Sequence, residues 1–155
     1  MEIRIVSSEV EHLFLMVDRI HEGNEREAEA LAGISAFELL KSSVENSIES
    51  WTVLADETPV AVYGIATVSA LSGEACPWLV CTDDIRSAGL TFLRQFRRNM
   101  ENIKSRFDRL KCLIYNENTE VVRMLEWIGF HKRRELCYGV SNEVFYEMVW
   151  EGGDD

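Results

Sequence analysis

The sequence lacks long hydrophobic runs. No apolar stretch approaches about 18 residues, the length that a membrane-spanning helix needs, and the first 20 residues alternate between polar and apolar side chains. We therefore expect neither a transmembrane segment nor a signal peptide. Repeats, linkers and low-complexity segments are also missing from the 155 residues. The length fits a single domain over residues 1–151, followed by a mobile tail at 152–155.

Positive charge is scarce. The chain has 16 lysine and arginine residues against 27 acidic ones, and its net charge of −11 argues against general nucleic-acid binding. The charge is unevenly placed, because residues 86–111 hold eight basic and two acidic residues whereas residues 1–50 hold four basic and eleven acidic ones. These two regions are candidate contact faces, although a run of charge is more often a solvated surface.

Cysteine and histidine are few and lack the spacing of a known site. The four cysteines, Cys76, Cys81, Cys112 and Cys137, show no metal-ligand pairing and lie in apolar, strand-like contexts. We interpret them as buried free thiols of a protein from a reducing compartment, and we expect no metal site. The three histidines are scattered and form no triad with a serine or a cysteine.

Apolar periodicity predicts an alternation of strands and helices. Strands are expected over 1–6, 51–55, 60–70, 76–81, 111–115, 132–140 and 143–151. Helices are expected over 9–21, capped by Ser7 or Ser8, and over 25–32, 36–43, 89–107 and 119–129. Gly64 indicates a bulge or a close backbone approach. The fourth helix has an apolar stripe that predicts its buried face, formed by Leu90, Leu93, Phe96, Met100 and Ile103.

Residues 111–130 organise the rest of the chain. A buried strand is followed by a polar bend, and Asn118 or Thr119 can cap the helix after it. Gly129 ends that helix in a left-handed conformation, and Phe130 returns to the core. The strand–helix–strand order predicts a mixed sheet with two diverging parallel strands, one leaving through Thr82 and the other through Asn116. An ordinary strand–helix unit of an α/β domain accounts for these residues equally well.

The spacing from Asn118 to the Gly129–Phe130 pair resembles the last helix of the GCN5-related N-acetyltransferase (GNAT) superfamily. The element order is also similar to this fold over nearly the whole chain. The resemblance implies an α/β (α+β) class with a mixed, mostly antiparallel twisted sheet, flanking helices and the order β-α-α-β-β-β-α-β-α-β.

The resemblance also implies a binding site for acetyl-CoA. Residues 86–91 align with the family loop Q/R-x-x-G-x-G/A, whose amides hold pyrophosphate at a helix N-terminus. Arg86 and Gly89 match this loop, whereas Thr91 is β-branched and narrows the approach of a phosphate. Asp83 or Asp84 within ~4 Å of a phosphate costs about 1 kcal/mol in water and about 4 kcal/mol near a protein surface. The cofactor-binding residues implied are Leu79, Val80, Arg86, Gly89, Leu90, Thr91 and Asn118.

The catalytic residue of the family is missing. Many members carry a tyrosine seven residues after the helix asparagine, where it protonates the departing thiolate, and this position is Leu125. We therefore assign no catalytic residue. Side chains able to act as a substitute acid are Tyr115, Tyr138, Tyr146 and Cys112, and Glu74 or Asp83 can act as a base.

Three stretches together, 26–33, 77–98 and 118–130, resemble small phage proteins grouped with the internal virion protein A of short-tailed phages. The resemblance implies a protein made in the host bacterial cytoplasm that acts in virion assembly or as a minor internal virion component. Its partners are then other phage virion proteins, and contact with packaged DNA has no support from the net charge. Two alternatives remain open, an active acetyl-CoA-dependent N-acetyltransferase and a host-directed binding or inhibitor protein. The acyl acceptor and the oligomeric state are open as well.

Overall fold

A twisted sheet forms the centre of the computed structural model, which describes residues 1–69 and 71–152. Within these residues the strands are β1 (Ile3–Ser7), β2 (Glu49–Ala55), β3 (Thr58–Ser69), β4 (Glu74–Cys81), β5 (Arg109–Tyr115), β6 (His131–Tyr138) and β7 (Glu143–Glu151). The helices are α1 (Val10–Met16), α2 (Glu22–Ala32), α3 (Ala36–Glu45), α4 (Ile85–Lys104) and α5 (Thr119–Trp127). Ala70, at the end of the strand predicted over 60–70, and residues 153–155 of the predicted tail lie outside the described residues.

The predicted fold class is confirmed. The seven strands lie in the order β1-β2-β3-β4-β5-β7-β6, and each neighbouring pair is antiparallel except β4 and β5, which are parallel. Three helices separate β1 from β2, and two strands close the chain. The described residues therefore contain every individually predicted helix and strand, one helix and one strand more than the ten-element order of the resembled family.

Two hydrophobic layers cover the sheet. On one face, α4 and α5 bury Phe92, Phe96, Met100 and Leu125 against the strands. On the other face, α1 and α3 bury Leu13, Met16 and Leu40 against Val62 and Val80. Burying one such side chain stabilises a fold by about 1.5–3 kcal/mol. The sheet is therefore held from both sides.

The diverging parallel pair is also confirmed. β4 and β5 pair at Glu74↔Arg109 and Ala75↔Leu110, and no further pair is formed between them in the described residues. The two strands then follow different partners, because β4 pairs with β3 up to Cys81 and β5 pairs with β7 up to Tyr115. A gap opens between their carboxyl ends as a result.

The start of α4 differs from the prediction. The helix begins at Ile85, but Gly89 interrupts it with φ 51° and ψ −139°. This break resets the helical phase, so Leu90 is 66% exposed and Phe92 takes its place in the buried stripe. The prediction that Leu90 is buried is wrong for this reason.

Two predicted helix caps are wrong, whereas two predicted glycine roles are confirmed. Glu9 precedes α1 and donates its backbone N–H to Nδ1 of His12, so neither Ser7 nor Ser8 caps this helix. Asn118 precedes α5 but makes no side-chain cap, because its amide faces α2, and Thr119, the alternative cap, is instead the first residue of the helix. Gly129 has φ 106° and is followed by a buried Phe130. A Cβ at Gly64 would lie 2.6 Å from Cζ2 of Trp78, which shows the close approach expected there.

All four cysteines are free thiols. Cys81 and Cys112 are buried and Cys76 is partly buried, but Cys137 is exposed because β6 is an edge strand. The prediction that all four are buried is therefore wrong for Cys137. In the described part of the chain no group of three or more His, Cys, Asp or Glu side chains is placed to hold a metal ion. No helix among the described residues combines the length and apolar character of a membrane span.

Candidate functional site

The gap between β4 and β5 lies between two cavities on opposite faces of the sheet. On one face, a groove of about 540 Å³ separates α4 from α5, and we call it the α4–α5 groove. On the other face, a cavity of about 310 Å³ lies beneath α2 and α3, and we call it the α2–α3 chamber. Leu79 and Val121 line both cavities. The gap therefore brings two separate binding spaces to the same point.

The backbone of β4 presents alternate residues to the gap. The Thr82 N–H donates to the Val60 carbonyl, 2.9 Å away, so Thr82 and Val80 face β3. The backbone groups of Leu79 and Cys81 point the opposite way, into the gap. The Val80 side chain packs with Leu13 and Leu40 under α1 and α3. The structure thus brings the predicted residue Leu79 to the groove and does not bring Val80 there.

The first turns of α2 occupy much of this strand edge. The Asn24 side chain donates to the Leu79 carbonyl at 3.3 Å and accepts from the Cys81 N–H at 3.0 Å. The His21 N–H donates to the Cys81 carbonyl at 2.7 Å. The Leu79 N–H also points into the gap. Pro77 has no N–H and the Cys81 N–H is bonded to Asn24, so among the described residues from Pro77 to Cys81 the Leu79 N–H is the gap-facing donor that α2 leaves unbonded. This N–H is available to a ligand in the gap.

Glu27 lies one helical turn after Asn24 and reaches the other strand. Its Oε2 accepts from the Tyr115 N–H at 2.8 Å and lies 3.5 Å from Nδ2 of Asn118. Burial raises the pKa of the Glu27 carboxyl, and these two hydrogen bonds act in the opposite direction. Because Glu27 also lines the α2–α3 chamber, it places an ionisable group beside the gap.

The predicted phosphate loop lies at the mouth of the groove. Arg86, Gly89 and Leu90 line the groove, and Gly89, Leu90 and Thr91 are exposed. Because Gly89 interrupts the helix, the residues after it begin a new helical run, and the first amides of such a run lack carbonyl partners within the helix. Arg86 forms an ion pair with Glu120 of α5 across the groove.

The acidic residues before the loop are already paired. Oδ1 of Asp83 lies 2.6 Å from Nδ1 of His21, and Oδ2 of Asp84 accepts from Arg19 at 2.8 Å. The ion pair with Arg19 weakens the repulsion expected between Asp84 and a phosphate, and the contact with His21 holds the Asp83 carboxylate in place. The loop therefore fits an anionic group better than its sequence indicates.

Basic and apolar side chains complete the groove. Arg123 of α5 lines it, and the Arg97 guanidinium lies 4.8 Å from the centre of the Trp127 ring. Leu79, Ile85, Leu93 and other apolar residues form its walls. The far ends of the two helices are tied together, since Nζ of Lys104 in α4 donates to the Ile128 carbonyl at the end of α5. These features fit a ligand with an anionic head and an extended arm, as in coenzyme A.

The substitute acids predicted from the sequence are not brought into the groove. The Tyr115 hydroxyl lies within hydrogen-bond distance of Glu117 and Glu143, and these contacts raise its pKa. Tyr138 is exposed on the edge strand, and Tyr146 lies beneath Nζ of Lys132. Neither lines the groove.

The remaining candidates are also constrained. Cys112 lines the α2–α3 chamber, but burial raises the pKa of its thiol well above the usual value. Glu74 pairs with Arg109 and Lys111, each at 3.5 Å, where β4 and β5 still run side by side. Leu125 is buried and has no proton to transfer.

Sequence reasoning missed Asn24 and Glu27 as site residues. Both lie near or within the 26–33 stretch, but their roles depend on contacts with residues 57 and 88 positions away in the chain. The available signal was the spacing of two polar residues, one turn apart, beside the buried Ala28 and Ala30 of the same helix.

Similarity to known proteins is found at the level of structure. No family model matches the chain, and no curated protein matches it by sequence. The spermidine N-acetyltransferase from Vibrio cholerae, in complex with CoA and spermine, is similar with a TM-score of 0.70 and 13% identity, covering 98% of this chain and 96% of that one. This chain therefore has the GNAT fold. A GNAT-family acetyltransferase from Streptococcus pneumoniae is similar with a TM-score of 0.65 and 14% identity over 98% and 100% of the two chains.

The similarity to these proteins establishes the fold that carries the two cavities, but not what the cavities bind. At 13 and 14% identity the similarity concerns the fold alone. Activity has to be argued from the residues at the gap.

Proposed function

We propose that this GNAT-fold protein is an acetyl-CoA-dependent N-acyltransferase. The acyl donor occupies the α4–α5 groove and an amine acceptor occupies the α2–α3 chamber. The observation that carries the proposal is the gap itself, where Leu79 and Val121 line both cavities and the Leu79 N–H points between them. The Vibrio cholerae neighbour binds CoA in the same fold, which supports a coenzyme site in this chain.

The residues at the groove divide the work of holding acetyl-CoA. Gly89, Leu90 and Thr91 supply amides at the start of a helical run, where the helix dipole favours phosphate. Arg123 adds positive charge at the mouth, Arg86 does so once its ion pair with Glu120 opens, and Leu79 with the apolar walls holds the arm. Asn118 belongs to the acceptor side in this proposal, because its amide faces Glu27.

Coenzyme A supplies the acyl group as a thioester. Transfer to an amine forms one C–N bond and breaks one C–S bond. An acceptor that binds as an ammonium loses two protons, one to become a nucleophile and one after attack, and the sulfur gains one. The Leu79 N–H donates to the carbonyl oxygen as negative charge develops on it. Glu27 holds the ammonium and accepts, through water, the proton whose loss makes it a nucleophilic amine, and the second proton leaves to solvent after attack. Since Leu125 has no proton to give, the leaving sulfur would take its proton from solvent.

The first test is binding and turnover with acetyl-CoA. A ligand at 100 times its Kd stabilises the folded state by about 2.7 kcal/mol, which raises the Tm of a domain of this size by about 5 °C or more. Acetylated amine is then detected by mass spectrometry. An unchanged Tm together with the absence of product from an amine panel contradicts the proposal.

A pair of variants isolates the backbone donor. Leu79→Pro removes the N–H, and the β3 pairing stays intact because Leu79 faces the gap. We expect its kcat to fall about 10²–10³-fold, as for loss of an oxyanion donor. Leu79→Ala keeps the N–H and serves as the control for the lost side chain, so it weakens acetyl-CoA binding with a smaller effect on kcat. Equal kcat values for the two variants contradict the role of the N–H.

A binding role without catalysis is the second candidate. Leu125 in place of tyrosine and the occupation of the β4 edge by Asn24 and His21 favour it. This candidate includes the predicted role in virion assembly, with phage virion proteins as partners in the host bacterial cytoplasm. Five of the eight basic residues in 86–111 form ion pairs with described residues of the chain, which reduces the positive charge left for DNA. These five are Arg86, Lys104, Arg106, Arg109 and Lys111. Mass spectrometry of purified phage particles tests the virion role.

A further inference from the structure

The α2–α3 chamber is mainly apolar. Leu31, Leu39, Ala66 and Trp78 contribute to its walls, and the polar side chains at its rim include Ser42, Ser43 and Asn46. The Trp78 indole is fixed, because its Nε1–H donates to Oγ of Ser47 at 2.7 Å. Among the described residues that line the chamber, Glu27 is the one with a charged side chain.

The Glu27 carboxylate has one oxygen anchored and one oxygen open. Oε2 is held from the β5 side by the Tyr115 N–H and Asn118. Within the described residues Oε1 has no hydrogen-bond partner of its own. An anchored carboxylate with a free oxygen in an apolar cavity attracts one ammonium group, because the charge-assisted hydrogen bond strengthens where water is excluded.

We propose that the chamber selects a primary amine with one positive charge on a compact apolar or aromatic body. The role of the chamber as the acyl acceptor site rests on the proposed function, whereas amine binding at Glu27 does not. The ammonium donates to Oε1 of Glu27, and the apolar body lies against Leu39 and the Trp78 indole. A polyamine is disfavoured, because its additional ammonium groups would be buried among apolar side chains without a second carboxylate.

The first measurement uses the protein without coenzyme. Binding of 2-phenylethylamine and of spermidine is compared by isothermal titration calorimetry in the same buffer. We expect 2-phenylethylamine to bind more tightly. Tighter binding of spermidine overturns the inference.

Two matched variants test the role of Glu27. Glu27→Gln keeps an oxygen for the Tyr115 N–H but removes the charge, and we expect it to weaken 2-phenylethylamine binding about 10-fold or more. Glu29→Gln, exposed on the same helix and outside the chamber lining, is expected to leave the affinity unchanged. Equal affinities of Glu27→Gln and the wild type overturn the inference.

A third variant tests the charge count directly. Ser42 is exposed on α3 and lines the chamber, so Ser42→Glu adds a second carboxylate at a position that tolerates substitution. Its affinity for putrescine relative to 2-phenylethylamine should rise about 10-fold. An unchanged ratio contradicts selection by charge count. Glu27-dependent amine binding with no product from acetyl-CoA rejects the proposed catalysis and leaves the binding inference standing.

Discussion

The two faces of the sheet treat the gap between β4 and β5 differently. On the α2 face, Asn24 and Glu27 hydrogen-bond to the backbone of the two strands and occupy part of the gap with polar contacts. On the α4–α5 face, apolar side chains line an open groove with charged groups at its mouth. A buried polar group without a hydrogen-bond partner destabilises the fold, whereas an apolar wall needs no partner in the absence of a ligand. The difference places the fixed polar contacts beside the α2–α3 chamber and the adaptable apolar surface in the α4–α5 groove.

The largest expected effect comes from removing the Asn24 hydrogen bonds on the α2 face of the gap, which we call the closed side. Asn24→Ala leaves the buried Cys81 N–H and the partly buried Leu79 carbonyl without their partner. Each unsatisfied group costs about 1–3 kcal/mol, so the free energy of unfolding should fall by roughly 2–4 kcal/mol in urea titrations. Asn102→Ala, at an exposed position of α4, is the control and should change it by less than about 0.5 kcal/mol. Equal stability of the two variants would mean that Asn24 does not hold the gap.

The next largest effect is expected from a change at Gly89 in the α4–α5 groove, which we call the open side. Gly89 has a positive φ that favours glycine, and a Cβ there meets no atom within 4 Å. Gly89→Ala therefore strains the backbone without a clash, and it should destabilise the fold by about 1–3 kcal/mol and weaken acetyl-CoA binding as the loop relaxes. Calorimetric titration and urea unfolding measure both quantities. Ser87→Ala, two residues earlier, is the control for loss of helix contacts, and full retention of coenzyme affinity in Gly89→Ala counts against the loop.

A smaller effect sharpens the electrostatic part of the comparison. Arg123→Glu reverses a charge that lines the groove, and we expect it to weaken acetyl-CoA binding about 10-fold at low salt and less at high salt. Its stability should remain close to that of the wild type because the side chain is exposed. Arg98→Glu, on the same protein but outside the groove lining, is the matched control. The same loss in both variants would indicate a general charge effect.

The smallest effect is a pH dependence from the closed side. Burial raises the pKa of Glu27 above its unfolded value, so the folded state binds this proton more tightly than the unfolded state. Its contribution to stability is fully present below the unfolded pKa and is lost as the pH rises through the folded pKa. Urea unfolding from about pH 4 upward should show this loss in the wild type but not in Glu27→Gln. Parallel pH profiles for the two proteins would contradict a raised pKa.

Local patterns in the sequence predict most of the fold. Apolar spacing locates most helices and strands because burial acts on neighbouring residues of one element, whereas the largely exposed β6 is located by its hairpin with β7. The end of α5 at Gly129 and Phe130 is predicted for the same reason, since a left-handed residue and the apolar side chain after it are adjacent in the chain. The divergence of β4 and β5 follows from their helical connection and their different strand partners.

The site was less predictable because its contacts are distant in sequence. Asn118 is a typical capping residue, yet its amide is drawn to Glu27, 91 positions away. The sequence alone predicts that Asp83 and Asp84 repel a phosphate, because it does not show that His21 and Arg19 lie beside them. Leu90 belongs to an apolar stripe only while the helix is continuous, and the break at Gly89 is a conformation that spacing does not reveal. Cys137 is exposed because β6 is an edge strand, which depends on the order of the whole sheet.

The tie between Lys104 and the Ile128 carbonyl determines how the groove can change width. α4 and α5 are joined at their carboxyl ends by this bond, whereas at their amino ends they meet through the exposed pair of Arg86 and Glu120. We therefore expect any separation of the two helices to be largest at their amino ends and smallest near Lys104. A ligand that enters between Arg86 and Glu120 replaces a solvated ion pair with its own charges, and the hydrophobic core under Lys104 stays undisturbed.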